Sequence, residues 1–173
     1  MRRLLLLRHA KSEWPNGIAD PERPLAPRGR AAAPRMGAYL AREKLLADKA
    51  LISPARRTRE TWDLLSSHLT PLPLMATEPR IYEAPVARLL TVLREQTSNV
   101  QTLMLVGHNP GLEELSLTLC ASGATDTLER LGTKFPTGAL AVIDLPVDDW
   151  QAVVPSIGRL DRFITPRELP ENI

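Results

Sequence analysis

Short apolar runs alternate along the chain with longer segments in which apolar residues recur at the spacing of a helix. Six of the runs predict strands, and they cover residues 4–7, 51–52, 74–77, 102–106, 139–145 and 157–164. The segments between them predict helices, and a proline stands near the start of four of these: Pro27, Pro54, Pro85 and Pro110. Proline is favoured there because the first helical residue has no N–H partner within its own helix. The polar stretch at 122–127 predicts a loop.

Two of the helices carry further signals. The first is predicted over residues 27–46, and Pro34 either kinks it or marks its true start. The second is predicted to begin at Ser53, which serves as its cap, and its inward face includes Trp62 and Leu65.

Alternating strands and helices predict an α/β fold. We expect a mostly parallel central sheet with helices on both faces, which gives three layers. The last two strands are expected to form a hairpin at one edge of this sheet. Residues 1–173 suit a single domain, with enough chain to bury a substantial core.

Basic side chains stand where three of the predicted strands end. Arg8 and His9 follow the first apolar run, Arg56 comes shortly after the second strand, and His108 follows the strand at 102–106. The carboxyl ends of parallel strands lie at one edge of a sheet, and ligands bind there in open α/β folds. The topology therefore predicts that these four side chains converge on one pocket.

Two arginines and two histidines in one pocket favour a phosphate ligand. The guanidinium group offers a rigid fork of donors that matches phosphate oxygens. Arg56 also falls in the first turn of a predicted helix, where free N–H groups and the helix dipole attract an anion. A neutral imidazole is a competent nucleophile toward phosphorus. Phosphoryl transfer is therefore the chemistry that this set predicts.

The composition places few demands on a partner. The net charge is +2, from 22 basic and 20 acidic residues, so nucleic acid is not expected as a partner. The single cysteine, Cys120, excludes an intrachain disulfide and a cysteine-rich zinc site. Arg8 ends the first apolar run too early for a signal peptide, and no transmembrane segment follows, so we expect a cytoplasmic protein without membrane contact.

Five motifs occur in an order that resembles a known family. They are Arg8-His9, Arg23-Pro24-Leu25 followed by Gly29, Ser53 to Thr58, Tyr82-Glu83, and Gly107-His108. This order and spacing resemble the histidine phosphatase superfamily, whose fold is phosphoglycerate mutase-like. The short chain and the Arg-Pro-Leu element resemble its SixA-like phosphohistidine phosphatase branch.

The resemblance implies a role for each residue. His9 would attack phosphorus and carry the phosphoryl group as a covalent intermediate, which water then hydrolyses. Arg8, Arg56 and His108 would hold the phosphate oxygens, and Glu83 would donate the proton to the leaving group. No metal and no cofactor are implied. Ser12 and Arg23 are further candidates for contact with substrate.

Several of these residues have an alternative interpretation. Glu83 could be a solvated loop residue, and His108 could cap the helix that follows it, although Asn109 suits that position better. Arg23 could anchor its loop by a salt bridge instead of reaching substrate. Arg57 is expected on the surface of its helix.

Other functional classes fit the sequence less well. A zinc hydrolase is disfavoured because Arg8 beside His9 would repel a cation and no acidic cluster completes a ligand set. A phosphoglycerate mutase of this superfamily is typically longer. A non-catalytic module that binds phosphorylated partners has no need of both histidines. The expected substrate is phosphohistidine on a protein, with a small phosphate ester as the alternative, and the oligomeric state stays open.

Overall fold

The computed structural model describes residues 1–173 and contains seven strands and five α-helices. In chain order they are β1 Arg2–Arg8, α1 Pro27–Arg42, β2 Lys49–Ile52, α2 Arg56–Ser66, β3 Leu74–Thr77, α3 Val86–Arg94, β4 Thr102–Gly107, α4 Gly111–Leu119, β5 Cys120–Gly123, α5 Thr125–Thr133, β6 Leu140–Leu145 and β7 Gly158–Ile164. No helix combines the length and the apolar character that a membrane crossing requires.

All seven strands belong to one sheet, in the order β3-β2-β4-β1-β6-β7-β5. Neighbours from β3 to β1 are parallel, whereas β6 runs antiparallel to both β1 and β7, and β5 is again parallel to β7. Only β6 therefore opposes the common direction, and the prediction of a mostly parallel sheet is confirmed.

Helices cover both faces of the sheet, as predicted. The leucines of β1 alternate between the two faces: Leu4 and Leu6 pack into a cluster with residues of α3, α4 and α5, while Leu5 and Leu7 pack with residues of α1 and α2. All four are at most 1% exposed. A strand buried on both faces must be continuously apolar, which explains the run of leucines.

The hairpin of β6 and β7 forms, but it does not end the sheet. The stretch predicted as a loop at 122–127 instead contributes the end of β5 and the start of α5, and β5 pairs with β7 at the edge. Because β5 is short and none of its residues is buried, it has no apolar pattern that would indicate a strand.

The first helix also differs from the prediction. Pro34 lies inside α1 and does not mark its start, and the helix ends at Arg42 instead of residue 46. Gly29 in its first turn lies against the backbone of Lys11, where a Cβ atom would come within 2.1 Å of the carbonyl oxygen. A glycine is therefore needed for α1 to approach the loop that follows β1.

Candidate active site

The pairing of β1 with β4 brings the two strand-end histidines together. Arg8 is aligned with Gly107, so the next residue of each strand, His9 and His108, leaves the sheet at the same edge. The centroids of their imidazole rings are 5.4 Å apart, with 53° between the ring planes. The predicted convergence of these residues is confirmed, and its cause is the register of two parallel strands.

A cavity of about 640 Å³ opens at this edge of the sheet. Both histidines line it, together with four basic and three acidic side chains: Arg8, Lys11, Arg23, Arg57, Asp20, Glu83 and Glu114. Few apolar residues take part in the lining, so the cavity is adapted to a polar and charged ligand.

His9 is held in one tautomer. Its Nδ1 atom lies 2.7 Å from the carbonyl oxygen of Ala10, and because a carbonyl only accepts, Nδ1 carries the proton. Burial lowers the pKa of His9 to about 3, the bond to Ala10 opposes this shift, and the charges of His108 and Arg57 add to it. At neutral pH the imidazole is therefore uncharged, and its Nε2 atom keeps a free lone pair.

The backbone beside His9 is fixed by helix α2. The N–H of Ala10 donates to the hydroxyl of Thr61 at 3.0 Å, and that hydroxyl donates to the carbonyl oxygen of Arg57 at 2.7 Å. His9 also donates its own backbone N–H to Gly107 at 3.0 Å. These bonds tie the residue to both the sheet and the helix that carries Arg57.

His108 is oriented by Ser53. The Ser53 hydroxyl lies 2.7 Å from Nε2 of His108, and the only other contact of this oxygen is the N–H of Ala55 at 3.4 Å. The contact fixes the orientation of the imidazole ring, with Nε2 toward Ser53 and Nδ1 on the opposite side. Burial lowers the pKa of His108 to about 3, and the charge of Arg57 adds to the shift. Ser53 therefore positions a neutral histidine. It does not cap α2 as predicted, because that helix begins at Arg56 and Ala55 stands at the capping position.

The arginine of α2 that faces the cavity is Arg57, so the prediction of Arg56 is wrong. Arg57 is 6% exposed and lines the cavity, whereas the side chain of Arg56 is 45% exposed and pairs with Glu60 at 3.4 Å. Helical periodicity carried this information, because Arg56 precedes the inward Thr58 by about 200° of helix rotation. The sequence argument placed Arg56 by its distance from the strand and not by its side of the helix.

A partly exposed carboxylate, Asp20, organises the wall of the cavity beside Arg57. It accepts hydrogen bonds from Arg57 at 3.1 Å, from Arg23 at 3.0 Å and from the hydroxyl of Tyr82. Burial raises the pKa of Asp20, but these three bonds outweigh it and lower the pKa to about 2. Asp20 is therefore charged and holds Arg57 in place. No sequence pattern indicated it, since its partners come from three separate segments.

Unpaired polar atoms concentrate around the two histidines. Five buried side-chain nitrogen or oxygen atoms have no hydrogen-bond partner within the protein, and four belong to residues lining the cavity: Arg8 Nε, Arg57 Nε, His108 Nδ1 and Asn109 Oδ1. Buried polar atoms are nearly always paired in native proteins, and exceptions call for a functional explanation. The two arginine nitrogens are donors, and the guanidinium groups that carry them give the cavity the positive charge that suits an anion.

Arg23 and Ser12 line the cavity but bind each other. The guanidinium of Arg23 donates to the hydroxyl of Ser12 at 2.8 Å and to the carbonyl oxygen of Glu13 at 2.9 Å, in addition to its bond with Asp20. The ring of Trp14 covers this guanidinium, with the central carbon 3.3 Å from the ring centroid. Arg23 is thus the anchor of its loop, which is the first of its two interpretations.

Glu83 lies at the cavity in an unusual backbone conformation. It is exposed, and its φ angle is +51°, a left-handed value that costs a non-glycine residue about 1–3 kcal/mol. Such strain persists only where the surroundings impose it. The loop that carries Glu83 lies close to α4, since a Cβ atom at Gly111 would come within 2.8 Å of the carbonyl oxygen of Ala84.

The remaining histidine and the acidic residues offer no metal site. His68 is exposed, and no group of three or more histidine, cysteine, aspartate or glutamate side chains is arranged to hold a metal ion.

Comparisons with known proteins agree with this geometry. Residues 4–97 match the profile of the histidine phosphatase superfamily (branch 1). An uncharacterised protein of Mycobacterium tuberculosis is 37% identical over 163 residues, which cover 93% of this chain and 100% of that protein. A protein assigned as the phosphohistidine phosphatase SixA of Agrobacterium tumefaciens is 32% identical with a TM-score of 0.78, over 95% of this chain and 98% of that chain. One assigned as SixA of Nakamurella multipartitia has the same fold, with a TM-score of 0.82, 24% identity and coverage of 95% and 96%. The chain belongs to the histidine phosphatase superfamily.

Proposed function

We propose that this protein is a phosphatase that moves a phosphoryl group from its substrate to His9 and then to water, and that the substrate is a phosphohistidine side chain of another protein. One observation carries the proposal: the donor side chains of Arg8, Arg57 and His108 line the cavity around a neutral His9. Three donors match the three equatorial oxygens of a phosphoryl group in transfer.

In the first step Nε2 of His9 attacks phosphorus, and the bond between phosphorus and the leaving group breaks. The proton stays on Nδ1 and keeps its hydrogen bond to the carbonyl oxygen of Ala10. The phosphorylated ring therefore becomes a cation, which this oxygen stabilises. The guanidinium groups of Arg8 and Arg57 offset the negative charge of the phosphoryl oxygens throughout. His108 becomes easier to protonate once the anion is present, and in its charged form both ring nitrogens are donors.

In the second step water attacks phospho-His9, inorganic phosphate leaves, and the lone pair returns to Nε2. The leaving group of the first step takes a proton where it needs one. An alkoxide requires a general acid, and Glu83 at the rim of the cavity is the candidate. The imidazole of a phosphohistidine leaves readily once it is protonated, and so it depends less on an acid.

The rim of the cavity supports a protein substrate. Lys11, Trp14 and Glu83 line the cavity and are exposed, so its mouth is open to a side chain presented by another molecule. Sites for small metabolites usually enclose most of the ligand surface. The relatives assigned as phosphohistidine phosphatases favour the same substrate.

The test is the covalent intermediate. Wild-type protein mixed with a radiolabelled, histidine-phosphorylated phosphocarrier protein and stopped in alkali is expected to give a labelled band. His9→Ala is expected to give neither the band nor phosphate release. His68→Ala, which changes an exposed histidine, is expected to keep both. Turnover by His9→Ala would refute the mechanism, and binding without a labelled wild-type band would indicate a non-catalytic phosphate-binding module.

Metal independence is a part of the same proposal. The wild-type rate is expected to be unchanged after dialysis against EDTA, because arginines and not a cation offset the phosphate charge. A rate that falls with EDTA and returns with added Mg²⁺ or Zn²⁺ would contradict it.

A phosphatase of small phosphate esters is the second candidate, and the position of Glu83 at the cavity favours it, since a general acid serves oxygen leaving groups. The two candidates are separated by kcat/KM on a phosphohistidine protein and on a panel of small esters. An ester preferred by tenfold, about 1.4 kcal/mol of transition-state stabilisation, would decide for the second.

A further inference from the structure

Trp14 is exposed beside the cavity although most large aromatic side chains of the protein are buried. It is 76% exposed, whereas Trp62 is 4% and Trp150 is 0% exposed. An indole left in solvent gives up a large hydrophobic stabilisation. Its position in the lining of the cavity suggests that a ligand recovers this stabilisation.

The ring of Trp14 is fixed from one side only. The guanidinium of Arg23 lies 3.3 Å from the ring centroid, and it is itself buried and held in plane by Ser12, Glu13 and Asp20. A cation stacked on one indole face is a stabilising contact. The exposed surface of the ring is therefore the opposite face, and its orientation is set before any ligand arrives.

We propose that Trp14 is a stacking platform that selects substrates whose phosphoryl group is attached to a planar aromatic ring. With the phosphoryl group at His9, the leaving group extends toward the rim, where Trp14 is the most exposed aromatic side chain of the lining. Stacking on an aromatic side chain is sensitive to the flatness of the ligand and not to its hydrogen-bonding pattern. The imidazole of phosphohistidine is such a ring. The inference rests on the proposed function and specifies how its site chooses the leaving group.

The kinetic test compares two substrates in each variant. Trp14→Ala is expected to lower the ratio of kcat/KM for phenyl phosphate to that for ethyl phosphate by at least about fivefold. Trp14→Phe, which keeps a flat ring, is expected to restore most of this ratio. If Trp14 only shields Arg23, both substrates will lose the same factor and the inference is wrong.

A binding test does not depend on turnover. Because Trp62 and Trp150 are buried, quenching of tryptophan fluorescence by acrylamide reports on Trp14. Phenylphosphonate is expected to protect the fluorescence more than methylphosphonate does, in wild type and in His9→Ala. Equal protection by the two phosphonates would overturn the inference even if the phosphatase activity stands. Selective protection in a protein without phosphatase activity would uphold the platform and refute only the catalytic proposal.

Two further substrates show whether the aromatic ring that Trp14 selects belongs to a small molecule or to a protein side chain. Phosphoimidazole carries the ring as a small molecule, and a phosphohistidine phosphocarrier carries it as a side chain. A loss in Trp14→Ala on both assigns the platform to phosphohistidine. A loss on phosphoimidazole alone assigns it to small ring-bearing substrates, and a loss on neither refutes the inference.

Discussion

The hydroxyl of Ser53 lies 2.7 Å from Nε2 of His108, and this contact fixes the orientation of the imidazole ring. Ser53 comes directly after β2 and His108 directly after β4, and the two strands are adjacent in the sheet. The serine is completely buried, so it contacts the histidine and not the substrate. It is a positioning residue, and its loss should affect the reaction through the orientation of His108.

Ser53→Ala is expected to lower kcat/KM by about tenfold, because Nε2 of His108 loses its hydrogen-bond partner and the ring is no longer held in one orientation. The pH profile should also change, since the protonation of His108 is no longer coupled to the serine. Ser116→Ala is a matched control: Ser116 is equally buried, but its hydroxyl donates to Leu112 within α4. A similar loss of activity in both variants, in step with their loss of stability, would point to packing alone.

Arg57→Ala is expected to lower kcat/KM by at least about 100-fold, because it removes a buried donor from the phosphoryl site. Arg56→Ala removes the neighbouring arginine, which is exposed and paired with Glu60, and should change kcat/KM by no more than about threefold. Steady-state kinetics on one aryl phosphate measure both. The reverse order of effects would contradict the placement of the two side chains.

Glu83→Gln should slow substrates with poor leaving groups by about 10²–10⁴-fold and those with good leaving groups much less. The comparison of ethyl phosphate with p-nitrophenyl phosphate provides the two classes. Glu114→Gln, at another acidic residue of the cavity lining, should show no such dependence on the leaving group. An equal loss on both substrates in Glu83→Gln would mean that the residue positions substrate and donates no proton.

Stability is expected to fall as the pH falls from 7 to 5. The pKa values of His9 and His108 are lowered from the ordinary 6.5 to about 3, so in this range the unfolded chain binds more protons than the folded chain. Protonation therefore favours unfolding, by about 2 kcal/mol for each histidine over these two pH units. Urea unfolding at both pH values measures the change.

The matched variants are His9→Asn and His68→Asn. His9→Asn should remove about half of the pH dependence, whereas His68→Asn, at an exposed site, should leave it as in the wild type. An unaltered pH dependence in His9→Asn would show that His9 is not held neutral by burial.

The sequence by itself determined the elements and the edge at which the chemistry lies. The apolar runs located six of the seven strands, and parallel pairing required Arg8, His9 and His108 to leave the sheet together. These features depend on local pattern and on one topological rule, so they are readable from the chain. The face of α2 on which a residue lies also follows from local spacing, and this spacing favours Arg57 over Arg56 as the residue at the cavity.

Only the tertiary structure decided the contacts between distant loops. Asp20 meets Tyr82 and Arg57 across 62 and 37 positions of sequence, and Ser53 meets His108 across 55. Strand β5 likewise forms because β7 offers it a partner, and not because of its own residues. Single polar residues in loops carry no periodicity, and their partners are set by how the packed sheet and helices bring those loops together. The elements that supply the site were therefore predictable, while the bonds that orient its arginines and histidines were not.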